Sequence, residues 1–258
     1  MQTGQIIAIG GTGFSEAPRA PRIERYLLAQ TQLTQEAQQA RPRVCFIGSA
    51  SGDNDTYVAR FYETFAALGC EPSHVSLFRR TRALRDQLLA QHLVYVGGGN
   101  TKSLLALWRD WGLPALLAEA AAAGVVLAGT SAGAICWFEQ GITDSWGDGL
   151  RALPGLGMLS GSCCPHYDGE AERRPTYQRL MLDGAVPAGS AVDDHAALHF
   201  RDGELMRVVA ANTRAKAYQV ACRASADEGR DVEEVVLSAQ VLNDQGCVDA
   251  GDTGTALI

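Results

Sequence analysis

Five residues near the middle of the chain, Gly129-Thr130-Ser131-Ala132-Gly133, have the types and spacing of an activated nucleophile. The G-x-S-x-G pattern sets a serine on a sharp turn between a strand and a helix, at the carboxyl end of a sheet. The glycines are needed because the turn is too tight for a Cβ there. The apolar run Val125-Val126-Leu127-Ala128 enters the turn as a buried strand, and Ala134-Ile135-Cys136-Trp137 leaves it as the start of a helix. A serine so placed can attack a carbonyl, with the N–H of Ala132 and the positive end of the helix facing the developing oxyanion. The same five residues also suit a plain strand-to-helix turn with Ser131 as N-cap. The rest of the chain must discriminate.

A serine nucleophile needs a base of near-neutral pKa, held by a third group. There are five histidines: His74, His92, His166, His195 and His199. His74 and His92 precede strands and belong at the amino edge of the sheet. His199 lies inside the run Ala197-Leu198-His199-Phe200 and reads as structural. His166 follows Cys164-Pro165 in a polar loop and is the first candidate for the base, with His195 the second.

Another turn can hold an anion. Gly97-Gly98-Gly99-Asn100-Thr101 follows the run Leu93–Val96 and precedes a helix. Backbone N–H groups there can cradle negative charge, although a simple flexible turn has the same composition. Lys102 stands outside G-x-x-x-x-G-K-[ST], which excludes a P-loop. Gly10-Gly11-Thr12-Gly13 is followed by Ser15 and Glu16, out of register for G-x-G-x-x-G. It reads as a strand end needing close backbone approach rather than an NAD site.

The elements that position these turns alternate. Strands are predicted over Gln5–Ile9, Arg43–Gly48, His74–Phe78 and Leu93–Val96. Helices are predicted over Ile23–Gln39, from Asp55 or Thr56 to Leu68, and over Leu84–Ala90, Ser103–Trp111 and Pro114–Ala123. Alternation implies a parallel sheet with helices on both faces, and the turns at 10–13, 49–53, 97–101 and 129–133 together at its carboxyl edge. After a Pro/Gly-rich stretch at 153–157, a helix is predicted over Arg174–Asp183. Beyond Ala197, short apolar runs read as antiparallel or short strands finishing the sheet.

The 258 residues, 47% hydrophobic, carry a net charge of −7, which argues against binding nucleic acid or an anionic membrane. No signal peptide or membrane span is read, and no repeat or linker divides the chain, so a single domain over 1–258 is expected. The seven cysteines fit no zinc or disulfide pattern, and a reduced, cytoplasmic protein is expected.

YVGGGNT at 95–101, GTSAGAICWFE at 129–139, GITDS at 141–145, PHYDGE at 165–170 and DDHAALHF at 193–200 together resemble the peptidase E family of serine peptidases, family S51, which also contains cyanophycinase. The resemblance runs from the first strand to about Tyr218. It implies an α/β fold: a three-layer α/β/α sandwich with a mostly parallel sheet, of the class I glutamine amidotransferase-like (flavodoxin-like) type. It implies Ser131 as nucleophile and His166 as general base. Backbone N–H groups of Gly98, Gly99 and Ala132 would form the oxyanion hole, and Asn100 would contact substrate. The triad acid is expected at Asp144, with Glu139 and Glu170 as alternatives, and Asp193 is expected in the substrate cleft.

The resemblance implies hydrolysis of short peptides through an acyl-enzyme, without metal or organic cofactor, by a monomer or homodimer. Peptidase E acts on dipeptides with an N-terminal Asp, whose carboxylate needs a cation. Arg173, Arg174, Lys102 and Arg201 are the candidates. The chain departs from the dipeptidase at 134–137 and 166–169, so an exopeptidase of other preference is also open. Two other readings stand beside this one: a noncatalytic small-molecule or partner-binding protein on the same fold, and a glutaminase, which would want Cys at 131.

Overall fold

The computed structural model describes residues 4–14, 21–31, 41–224 and 230–248. The first half alternates: β1 (Gln5–Ile9), α1 (Arg22–Ala29), β2 (Arg43–Ile47), α2 (Asp55–Ala67), β3 (Glu71–Val75), α3 (Leu84–Leu89), β4 (Leu93–Val96), α4 (Thr101–Asp110), α5 (Leu113–Ala122), β5 (Val126–Thr130) and the short α6 (Ala132–Ile135). The second half is mostly strand: β6 (Phe138–Thr143), β7 (Arg151–Pro154), β8 (Leu159–Cys164), α7 (Arg173–Leu182), β9 (Gly189–Val192), β10 (Ala196–Arg201), β11 (Glu204–Ala210), β12 (Ala217–Ala224), β13 (Arg230–Leu237) and β14 (Ala239–Val241).

The main sheet has eight strands in the order β14-β11-β10-β1-β5-β4-β2-β3. From β1 to β3 the pairing is parallel, and β10 and β11 extend it antiparallel. β1, β4 and β5 are buried along their whole length. That is why they read as unbroken apolar runs rather than alternating ones. The pleat divides them between two cores. Ile7 and Ile9 face an aromatic cluster with Phe14, Phe46, Phe61, Phe65 and Tyr95, covered by α1 and α2. Ile6 and Ala8 face Leu104, Leu105, Trp108 and Leu117 under α4 and α5. The fold is the expected α/β sandwich.

The later strands depart from the expectation. They do not all finish the first sheet: β6, β7, β8, β9, β12 and β13 build a second one, in the order β13-β12-β9-β8-β6-β7. One of its faces joins the core under α4 and α5, through Phe138, Leu159, Cys163, Val192 and Ala217. The other carries Ile142, Cys164, Ala191 and Val220, packed on Tyr177 and Met181 of α7. The adjacent pair Cys163-Cys164 thus supplies one thiol to each face. The chain crosses between sheets twice near the site, through α6 and through residues 193–195 between β9 and β10.

Other boundaries differ slightly. β3 starts at Glu71, and α2 is capped by Asn54, whose Oδ1 accepts from Tyr57 N at 3.0 Å, rather than by Asp55 or Thr56. Residues 32–39 of the first predicted helix lie outside the described residues. Among the described residues no helix is long and apolar enough to cross a membrane.

Candidate active site

β5 ends at Thr130, and Ser131 sits at φ 56°, ψ −114°, a backbone that side-chain-bearing residues avoid at a cost of order 1–3 kcal/mol. A Cβ on Gly129 would overlap the carbonyl of Gly133, and one on Gly133 would overlap the carbonyl of Val96. The turn therefore closes only with glycine at both places. Ser131 Oγ makes no capping bond to α6. It lies 2.9 Å from His166 Nε2 instead, which separates this turn from a plain N-cap.

His166 follows β8 at φ 54°, and its N–H donates to Gly10 O at 3.2 Å. Its Nδ1 lies 2.7 Å from Asp194 Oδ1, in the crossover between β9 and β10. An ionised Asp can only accept, so Nδ1 carries the proton and Nε2 is left to accept from the serine. The hydrogen bond from His166 holds the Asp194 carboxyl below its ordinary range, against the opposing effect of burial. Asp194 N donates to Asp168 Oδ1 at 2.8 Å, and His195 N to Gly11 O at 3.2 Å. A Cβ on Gly11 would overlap both Asp194 Oδ1 and the His166 ring, and one on Gly169 would overlap Asp194 Oδ2. The close approach expected at 10–13 thus receives the His–Asp pair.

That turn rests on two buried polar groups. Gly13 lies against the Tyr95 hydroxyl and Glu24 Oε1, neither of which has a hydrogen-bond partner. Glu24 is 2% exposed, and burial pushes its carboxyl up to about 7.

The three acids expected beside His166 lie elsewhere. Asp144 is exposed in the turn after β6, a turn tied to the start of α4 by Asn100 Nδ2→Ser145 O at 2.9 Å. Glu139, on β6, accepts from Gly161 N at 2.9 Å. Glu170 is exposed and pairs with Arg173 Nε at 2.7 Å. The physical reason is the second sheet: the crossover between β9 and β10, rather than the turn after β6, passes the Nδ1 side of His166.

The two residues expected to meet substrate, Asn100 and Asp193, have partners within the fold. Asn100 caps α4, its Oδ1 accepting from Ser103 N at 2.8 Å, so both ends of its amide serve the fold. Asp193 is 3% exposed and accepts from Lys216 N at 3.0 Å. Burial, with Asp168 nearby, pushes its carboxyl up to about 6. His195 pairs with Thr12 Oγ1 at 2.8 Å, and His199 is buried between Tyr26 and Gln5.

Ser131 and His166 border a cleft of about 340 Å³, with Gly98 and Gly99 beside them. A Cβ on Gly98 would stand 3.7 Å from Ser131 Oγ. Ala132 is the first residue of α6, so its N–H has no acceptor within the helix. The opposite wall is the start of α2: Asn54, Thr56, Tyr57 and Arg60. Arg60 is a cation that the sequence reading overlooked; the spacing 54, 57, 60 along one helix face was the signal. The cations expected for a substrate carboxylate are not among the residues lining this cleft. Arg173 bonds Ile142 O and Glu170, and Arg174 pairs with Glu234. Lys102 lies over Trp146, and Arg201 donates to Gln5. Among the described residues no group of three His, Cys, Asp or Glu is placed to hold a metal ion.

Residues 6–208 match the family model for peptidase family S51. The chain is 49% identical over 217 residues to a Bacillus subtilis (strain 168) protein named uncharacterized peptidase YgaJ, covering 84% of this chain and 91% of that one. Among solved structures, a peptidase from an acI-B1 Actinobacterium superimposes with a TM-score of 0.67 at 18% identity, over 92% of this chain and 95% of that one. A peptidase E protein from Listeria monocytogenes EGD-e gives 0.57 at 19% identity, over 81% and 99%. At such identities the two structures speak to the fold, and the family rests on the sequence matches. The chain belongs to peptidase family S51 and is a serine-type peptidase.

Proposed function

We propose that the chain hydrolyses short peptides with Ser131 as nucleophile, His166 as general base and Asp194 as the acid that orients it. One observation carries this reading: the continuous line from Ser131 Oγ through the His166 ring to Asp194, at 2.9 and 2.7 Å. As Oγ bonds to the peptide carbonyl carbon, its proton passes to His166 Nε2. Asp194 stabilises the imidazolium so formed. The tetrahedral oxyanion is received by N–H groups of Gly98, Gly99 and Ala132. Collapse of the intermediate breaks the C–N bond, and Nε2 returns the proton to the departing amine. Water, with His166 again as base, then releases the acyl group and restores Ser131.

The size of the cleft supports a small substrate, and Arg60 supports one bearing a carboxylate, at its C-terminus or on a side chain. An exopeptidase or dipeptidase fits both features. The test is a peptide-library digest with the products identified, using the wild type and Ser131→Ala, together with labelling by a fluorophosphonate. The wild type is expected to release products from short peptides carrying an acidic or free terminal carboxylate, and to be labelled at Ser131. Ser131→Ala is expected to lose turnover by about 10⁶-fold. Near wild-type turnover by Ser131→Ala refutes the assignment. An unlabelled and inert wild type refutes it in favour of the noncatalytic binder.

A further inference from the structure

The α2 wall of the cleft carries a hydroxyl beside the oxyanion site. The Gly98 N–H donates to Tyr57 Oη at 3.3 Å, and Gly98 itself abuts Ser131. Tyr57 is therefore within hydrogen-bonding distance of an N–H that the reaction needs for the oxyanion. We propose that the Tyr57 hydroxyl is a further catalytic residue, donating its O–H to the oxyanion alongside the backbone amides.

The side chain is held for such a task. Its backbone N–H is fixed by Asn54 Oδ1 at 3.0 Å. Its ring stacks on Phe14 at 5.1 Å and meets Phe46 edge-on at 5.1 Å. A Cβ on Gly97 would crowd the Tyr57 ring at 2.9 Å, so the first glycine of the GGG run is where the ring fits. The three glycines then have separate jobs. Gly97 admits the ring, Gly98 borders the nucleophile, and Gly99, at φ 136°, passes close under the Ala50 carbonyl.

A phenol accepts and donates at once. In the resting site Oη accepts from Gly98. As negative charge grows on the substrate oxygen, that oxygen becomes the stronger acceptor, for the Gly98 N–H and for the Tyr57 O–H alike. A donor recruited only as charge develops acts on the transition state more than on bound substrate, so its removal falls on kcat.

The proposal rests on Ser131 being the nucleophile, and its test separates the two. Tyr57→Phe keeps the ring and its packing on Phe14 and Phe46 and removes only the hydroxyl. It is to be assayed beside Ser131→Ala on the best substrate from the library, with the inhibition constant of a peptidyl boronate, a mimic of the tetrahedral state. The expected result is a fall in kcat of about 10–100-fold with KM changed by less than about threefold. Boronate affinity should fall in step with kcat, and the melting temperature should not change. If Ser131→Ala is inactive while Tyr57→Phe keeps kcat within about twofold, or raises KM alone, Tyr57 is no oxyanion donor. Turnover by Ser131→Ala would instead overturn the nucleophile assignment, and this proposal with it.

Discussion

Ser131 is held mostly by its neighbours in the chain, His166 and Asp194 by residues far from them. The serine's geometry follows mainly from β5, two close-packed glycines and α6 within residues 126–135, closed against Val96 of β4 and Ile9 of β1. The His–Asp pair stands on two loops of the second half, which meet the backbone of Gly10 and Gly11 across the first sheet. The setting of Ser131 is thus largely a local feature, and that of the His166–Asp194 pair a tertiary one. A change in the first region should act through the turn itself; a change in the second can act from a residue with no chemical role.

Four substitutions break or sharpen that contrast. The largest effect belongs to Asp194→Asn, which should lower kcat by about 10⁴-fold in a folded protein, because an amide no longer fixes the His166 tautomer. Asp144→Asn, measured in parallel, should stay within about twofold, as befits an exposed turn residue. The reverse outcome would return the acid to the turn after β6. Next is Gly11→Ala. Its methyl overlaps both members of the pair, so kcat should fall by at least about 10²-fold through misplacement alone. Stopped-flow or progress-curve assays should show the loss although no reacting atom is removed.

The smallest effect is on stability. Glu24 has its carboxyl raised to about 7 in the fold against 4.5 for the free group. Between those values the folded state holds the proton more tightly than the unfolded chain. Stability therefore declines as pH rises through that interval, by about 3 kcal/mol once Glu24 is ionised above pH 7. Glu24→Gln removes this burden. Denaturant melts should find the variant more stable than wild type at pH 8, with the gain shrinking to little at pH 5. A gain independent of pH would show that the carboxyl beneath Gly13 does not titrate as described.

The same contrast explains what was legible in the sequence. β1, β4, β5 and the turn at 129–133 could be read because buried parallel strands and glycine-pinned turns are written in consecutive residues. His166 is suggested by its loop chemistry and by the resemblance, and it lies beside Ser131. Asp194 is not among the acids the sequence suggests for His166 (Asp144, Glu139 and Glu170), although its neighbour Asp193 is expected in the substrate cleft. Two adjacent aspartates are equivalent on paper; only the crossover between sheets turns one inward to Lys216 N and the other to His166. The second sheet was missed for a related reason. Short strands such as Gly189–Val192 carry no mark of which neighbour they pair with. Tyr57 and Arg60 share α2 with Phe61 and Phe65, whose spacing marks the helix as core-facing and gives no sign of a cleft wall.

The pairing of β1 has a consequence for the order of assembly. Gln5 and Arg201 meet in the β1–β10 ladder although 196 residues separate them. A contact of that span closes one of the longest loops the chain can make, and such closures come late and slowly. The Ser131 turn can take shape once β4 and β5 are paired. The seat for the His–Asp pair exists only after the strand made first has met a strand made near the end. A chain still being synthesised, or caught midway through refolding, would thus carry its serine without a working base. Hydrolysis would then appear as the last event of folding.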